Sequence, residues 1–169
     1  MVTIGDFAPN FTLESNNEKT IGLDSFSDKW IVLYFYPKDN TPGCTKEAID
    51  FTEYAKQFKE RNAVILGISP DSIESHKRFI SKYNIGINLL SDNNKNVMKL
   101  YDAWGEKKNY GRVYQGVIRS TFIISPEKRI MESWKNVRVR QKRKDGEIKH
   151  TEIVLKRLKE LQLENFPVC

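Results

Sequence analysis

Residues 30–36, "WIVLYFY", are aliphatic or aromatic at every position. Apolar residues without polar alternation predict a strand buried on both faces. Beyond it the period changes. Cys44, Ala48, Phe51, Ala55 and Phe58 recur at steps of four and three, the apolar face of a helix over about 42–61. "AVILGI" (63–68) reads as a second buried strand. "SPDSIESHKRFISKYN" places Pro and Asp before a second helical pattern. "INLLSD" predicts a short strand, and "NNKNVMKLYDAWG" a short helix ending at Gly105. "GVIRSTFIIS" (116–125) and "IMESWKNVRV", joined by "PEKR", form a hairpin pattern. A last helix is expected over about 151–163, with Ile153, Val154, Leu158 and Leu161 on one side.

Strands separated by helices define an α/β protein, to which the hairpin adds antiparallel pairing. Ligands of such sheets sit beyond the carboxyl ends of the strands. "PKDNTPGC" leaves the most apolar strand and so falls at that end.

With 169 residues, 39% hydrophobic and 30% charged, the chain has the make-up of a globular protein able to bury a full core. It reads as one domain over 1–163 with a basic insert at about 138–149, then a tail over 164–169. No run approaches the length of a membrane helix, and "MVTIGDFAPNF" lacks the pattern of a secretory signal. The expected localisation is cytoplasmic, or nuclear in a eukaryote. Two distant cysteines make no disulfide framework, and two separated histidines give no zinc pattern. No metal or cofactor is expected. His76 and His150 read as helix-surface residues, and the tryptophans as packing.

The turn before Cys44 is where candidate chemistry concentrates. Thr41 is a favoured N-cap residue and Pro42 suits the first helical position. Cys44 then lies third in the helix. The first amides of a helix have no internal partner and favour anions. A thiol there ionises more readily and is a candidate nucleophile.

Pro37, Thr41 and Cys44 fit the pattern Pro-x-x-x-Thr/Ser-x-x-Cys. "LYFYPKDNTPGCTKEA" resembles the peroxiredoxin Q subfamily, also called bacterioferritin comigratory protein. "GDFAPNFTL", "VILGISPDSIESHKRFISKY", "LLSD" and "GVIRSTFII" match in the same order. The resemblance implies a thioredoxin-like fold with a central mixed sheet flanked by helices. It implies a peroxidase in which Cys44 attacks a hydroperoxide and becomes a sulfenic acid. By the same resemblance Thr41 hydrogen-bonds peroxide and thiolate, Pro37 shields the site, Arg119 stabilises negative charge, and Glu47 holds the arginine.

Many relatives place a resolving cysteine five residues along the same helix, where this chain has Ile49. Two recycling routes follow. In the first, thioredoxin, glutaredoxin or glutathione attacks oxidised Cys44 directly. In the second, Cys169 resolves from the end of "ENFPVC", whose six residues span at most about 20 Å. The first is preferred, because chain ends are often poorly ordered. A peroxide-sensing switch built on the same thiol is the alternative function. The resemblance also suggests a monomer.

The net charge of +6 is uneven: residues 135–144, "KNVRVRQKRK", hold six basic residues and no acid. Asp145-Gly146 is a turn signal, so the insert reads as a basic hairpin or loop. It is either a solvated surface or a contact for nucleic acid or another polyanion.

Overall fold

The computed structural model describes residues 2–164. Its centre is a seven-stranded sheet made of β1 (Thr12–Ser15), β2 (Thr20–Gly22), β3 (Trp30–Phe35), β4 (Ala63–Ser69), β5 (Asn88–Ser91), β8 (Ser120–Ile124) and β9 (Ile130–Lys135). The spatial order is β2-β1-β5-β4-β3-β8-β9. β3 pairs in parallel with β4 and antiparallel with β8, so the sheet is mixed. Among the described residues, four α-helices complete the fold: α1 (Pro42–Glu60), α2 (Ile73–Tyr83), α3 (Asn96–Leu100) and α4 (His150–Glu164).

β3 is buried at all six positions because both sides of the sheet are covered. Trp30, Val32 and Tyr34 pack with Phe51 and Phe58 of α1, Phe79 of α2 and Leu158 of α4. Ile31, Leu33 and Phe35 enter the other layer with Val97 and Met98 of α3 and the N-terminal Phe11. Gly67 in β4 fits this packing: a Cβ there would lie 2.8 Å from the Tyr34 ring. Removing apolar surface from water on both faces is the main stabilising term.

Three sequence expectations need correction. The helix expected to reach Gly105 ends at Leu100. The Asp92 carboxylate accepts the Val97 and Met98 amides at its start, and Ala103 N–H donates to the Met98 carbonyl at its end. Asp102 then takes a left-handed φ of 56° and turns the chain. Trp104 opens β6 (Trp104–Asn109), which pairs with β7 (Arg112–Val117) in a separate hairpin around Tyr110-Gly111. The 116–125 run is therefore two strands, broken at Ile118-Arg119. In α4, Leu155 is buried in addition to Val154, Leu158 and Leu161, while Ile153 is half-buried.

The basic run forms a hairpin of β10 (Arg140–Arg143) and β11 (Gly146–Lys149), turning at Asp145-Gly146. Its stem is bound to α1. Arg140 grips the buried Asp50 with Nη2 and Nε, at 2.7 and 3.1 Å. Lys149 reaches Glu53 at 3.1 Å.

Candidate active site

β3 ends at Phe35, and the chain runs through Pro37–Thr41 into α1 at the carboxyl end of the parallel pair. Asn40 takes a left-handed φ of 62°, and Thr41 returns to extended backbone as the N-cap. Pro42 occupies the first helical position, which needs no N–H. The first helical bond runs from Thr45 N to Thr41 O at 2.8 Å. The Gly43 and Cys44 amides precede it and are available to an anion. Thr41 occupies the expected N-cap position, but its hydroxyl makes no capping bond. The hydroxyl donates to the Lys38 carbonyl at 2.7 Å, which leaves its oxygen lone pairs free to accept.

Cys44 is a free thiol, 2% exposed. Arg119 arrives from the break between β7 and β8, where Ile118 N–H donates to Ala103 O and Val137 N–H to Arg119 O. Its Nη2 donates to Cys44 Sγ at 3.3 Å, and its Nη1 to Glu47 Oε1 at 2.6 Å. Cys44 and Glu47 are three residues apart on α1, so both face one cation. The structure thus brings Cys44, Arg119 and Glu47 together, with Thr41 at the helix start and Pro37 half-buried in the loop between. Cys169 lies outside the described residues.

The electrostatics are lopsided. Burial works against the Arg119 charge, but Glu47 and Cys44 outweigh it and hold the guanidinium protonated. Burial pushes the Glu47 carboxyl up to about 7, against the pull of Arg119. Its Oε2 and the hydroxyl of neighbouring Tyr34 are buried without a hydrogen-bond partner among the described residues. Gly43 keeps the approach open: a Cβ there would lie 3.3 Å from Arg119 Nη2.

Sequence reading missed several neighbours. Lys107 of β6 has its ammonium held below the usual range by burial and by Arg119, while Cys44 acts the other way. Neither histidine is on the surface: His76 is fully buried, and His150 is 4% exposed. His150 Nε2 lies 2.9 Å from the Thr121 hydroxyl, and the ring meets Trp134 edge-on. Burial, then the Arg119 charge, lower its pKa to about 4, so it is neutral at pH 7. Asp39, Asp71 and His76 offer atoms within 4.8 Å of one another, a spacing that suits a cation. Those atoms are engaged in hydrogen bonds with one another and with Tyr36, Ser69 and Ser75.

A buried thiol at a helix start, with a guanidinium held against it, defines a thiol-based redox enzyme. The AhpC/TSA family pattern matches residues 4–133. Peroxiredoxin Bcp of Bacillus subtilis (strain 168) is 45% identical over 139 residues, covering 82% of this chain and 88% of that protein. Peroxiredoxin Q of Xanthomonas campestris superposes with a TM-score of 0.79 at 37% identity, covering 89% of this chain and 90% of that one. A bacterioferritin comigratory protein of Xanthomonas campestris, studied for alkyl peroxide reduction, gives a TM-score of 0.80 at 36% identity, with 89% and 91% covered. The chain belongs to the AhpC/TSA family, and within it is a peroxiredoxin of the Q, or bacterioferritin comigratory, type. It is a thiol-dependent peroxidase with the thioredoxin-like fold of its relatives.

Proposed function

We propose that Cys44 is the attacking sulfur, and that Arg119, Thr41, Pro37 and Glu47 serve the reaction. The contact carrying this reading is Arg119 Nη2 on Cys44 Sγ at 3.3 Å, with Nη1 fixed by Glu47. A donor on sulfur favours the anion, and the same guanidinium can follow the charge as it moves. The Cys44 thiolate attacks the terminal peroxide oxygen. An S–O bond forms, the O–O bond breaks, and the leaving alkoxide or hydroxide takes up one proton. Sulfur is oxidised to the sulfenic acid and the peroxide is reduced. Thr41 accepts from the peroxide hydroxyl, and the Gly43 and Cys44 amides face the developing charge. Pro37 restricts water, and Glu47 orients Arg119. Hydrogen peroxide and organic hydroperoxides are both substrates. A reductant thiol then attacks the sulfenic sulfur, releasing water and leaving a mixed disulfide. A second thiol frees Cys44.

Two thiols from outside the chain complete this cycle in the one-cysteine route, with thioredoxin, glutaredoxin or glutathione as the source. Such a pool places the protein in the cytoplasm, or in the nucleus of a eukaryote. The chain works as a monomer. Lys135, Arg138, Lys142, Arg143 and Lys144 are exposed on or beside the basic hairpin, a surface suited to weak contact with nucleic acid or another polyanion. Arg140, tied to Asp50, is not free for that use.

A thioredoxin-coupled assay of wild type, Cys44→Ser and Cys169→Ser tests the assignment. Cys44→Ser is expected to lose turnover, and Cys169→Ser to retain it. Retained turnover without Cys44 refutes the reading, and loss of turnover without Cys169 refutes the one-cysteine route.

A further inference from the structure

A cluster of buried polar side chains lies against the Pro37–Thr41 loop, and the peroxide chemistry itself does not use it. Asp39 is 6% exposed and His76 is fully buried. Asp39 Oδ1 accepts the Tyr36 hydroxyl at 2.6 Å. Its Oδ2 accepts the Ser75 hydroxyl at 2.8 Å and lies 2.7 Å from His76 Nδ1. The other ring nitrogen, Nε2, lies 3.0 Å from the Leu90 carbonyl. A carbonyl can only accept, so Nε2 carries a hydrogen. Nδ1 faces Asp39 Oδ2, so the imidazole is fixed at both ends.

Further ties run the same way. Asp39 N–H donates to Asp71 Oδ2 at 2.8 Å, and the Ser69 hydroxyl donates to that oxygen at 2.7 Å. The Tyr83 hydroxyl donates to Asn40 Oδ1 at 2.8 Å. Their far ends lie on β4, the turn after it, and α2. The link to the reaction is short. Asp39 follows Lys38, whose carbonyl receives the Thr41 hydroxyl.

We propose that Asp39 and His76 are positioning residues for the peroxide reaction, clamping the loop to α2 so that Thr41 and the first amides of α1 meet the substrate correctly. The proposal rests on Cys44 as the attacking sulfur. Small displacements of such groups are costly, since about 1 Å can change a rate by about a hundredfold. A merely structural pair would change stability and leave the rate alone.

The test uses His76→Gln, Asp39→Asn and the double variant, all in a Cys169→Ser background so that Cys44 is the sole thiol. The second-order rate of Cys44 oxidation by hydrogen peroxide is measured, with iodoacetamide alkylation alongside and thermal melts for folding. Each single variant is expected to melt cooperatively and to oxidise at least about tenfold more slowly. The double variant should be no slower than the slower single one, because the two groups act as a unit. Val97→Ala, a packing change on α3 in the layer on the other face of the sheet, should lower the melting temperature and leave the rate unchanged. Rates within about twofold of the background, or fully additive losses, overturn the proposal. If a clamp variant does not fold, Ser75→Ala decides: losing one hydrogen bond to Asp39 should slow oxidation about fivefold, and an unchanged rate overturns the clamp. Peroxide consumption by Cys44→Ser would instead refute the assignment of the sulfur.

Discussion

At the scale of single residues, Glu47 and His150 have opposite effects on stability. Glu47 has a folded-state pKa of about 7 against an ordinary 4.5, so the folded chain binds more protons than the unfolded one. Its contribution falls as pH rises from about 4.5 to about 7. His150 is shifted from 6.5 to about 4, so the unfolded chain binds more protons. Stability from this group is present above 6.5 and lost as pH falls toward about 4. Each effect amounts to about 3 kcal/mol, and in the wild type they largely offset one another. Glu47→Gln should expose the histidine, with the urea midpoint climbing between pH 4 and 6.5. His150→Gln should expose the carboxyl, with the midpoint falling between 4.5 and 7. Parallel profiles in the two variants would contradict both assignments. The motif residues Pro37, Thr41 and Cys44 were legible in sequence because they lie close together in one loop and the helix start that follows it. The histidines were not. "SHKRF" and "IKHTE" look polar, and only packing against β5 and β8 buries them.

Among the elements, the start of α1 trades helix stability for chemistry. Ala at position 43 would favour the helix by up to about 1 kcal/mol. Its Cβ would also push Arg119 Nη2 by a few tenths of an ångström. Gly43→Ala should therefore melt no lower than wild type and reduce peroxide about tenfold more slowly. An unchanged rate would mean that the position of Nη2 is unimportant. The basic hairpin depends on Arg140, which neutralises a carboxylate with no solvent contact. Arg140→Ala leaves Asp50 with Lys149 at 3.9 Å. Denaturant unfolding should record a loss of about 2–3 kcal/mol, somewhat below the usual cost of breaking a fully buried pair because Arg140 is partly exposed. The turn at Asp145-Gly146 could be read from sequence, but its dock on Asp50 could not, since the partners lie 90 residues apart. β6 and β7 were also hidden. "EKKN" and "RVYQ" are mostly exposed, so no buried face imposed an alternating pattern.

At the scale of the whole molecule, the Cys44–Arg119 site sits at the carboxyl end of the central parallel strands. β3 and β4 were visible as continuous apolar runs, and β8 and β9 as a hairpin pattern around their turn. β1 and β2 were not, being three or four residues long and partly exposed. What joins site to scaffold is long-range: Arg119 reaches Cys44 across 75 residues. Five exposed cations cluster around the insert hairpin, and any polyanion contact should be electrostatic. Binding to a single-stranded oligonucleotide should weaken steeply between 50 and 200 mM salt, and Lys142→Glu/Arg143→Glu should reduce it. Salt-insensitive binding would exclude this use. Most directly, the account stands on Cys44 oxidation with Arg119 present or absent. In single-turnover mixing with hydrogen peroxide, Arg119→Ala should oxidise Cys44 about a hundredfold to a thousandfold more slowly than wild type, with its fold intact. Equal rates in the two proteins would contradict the account.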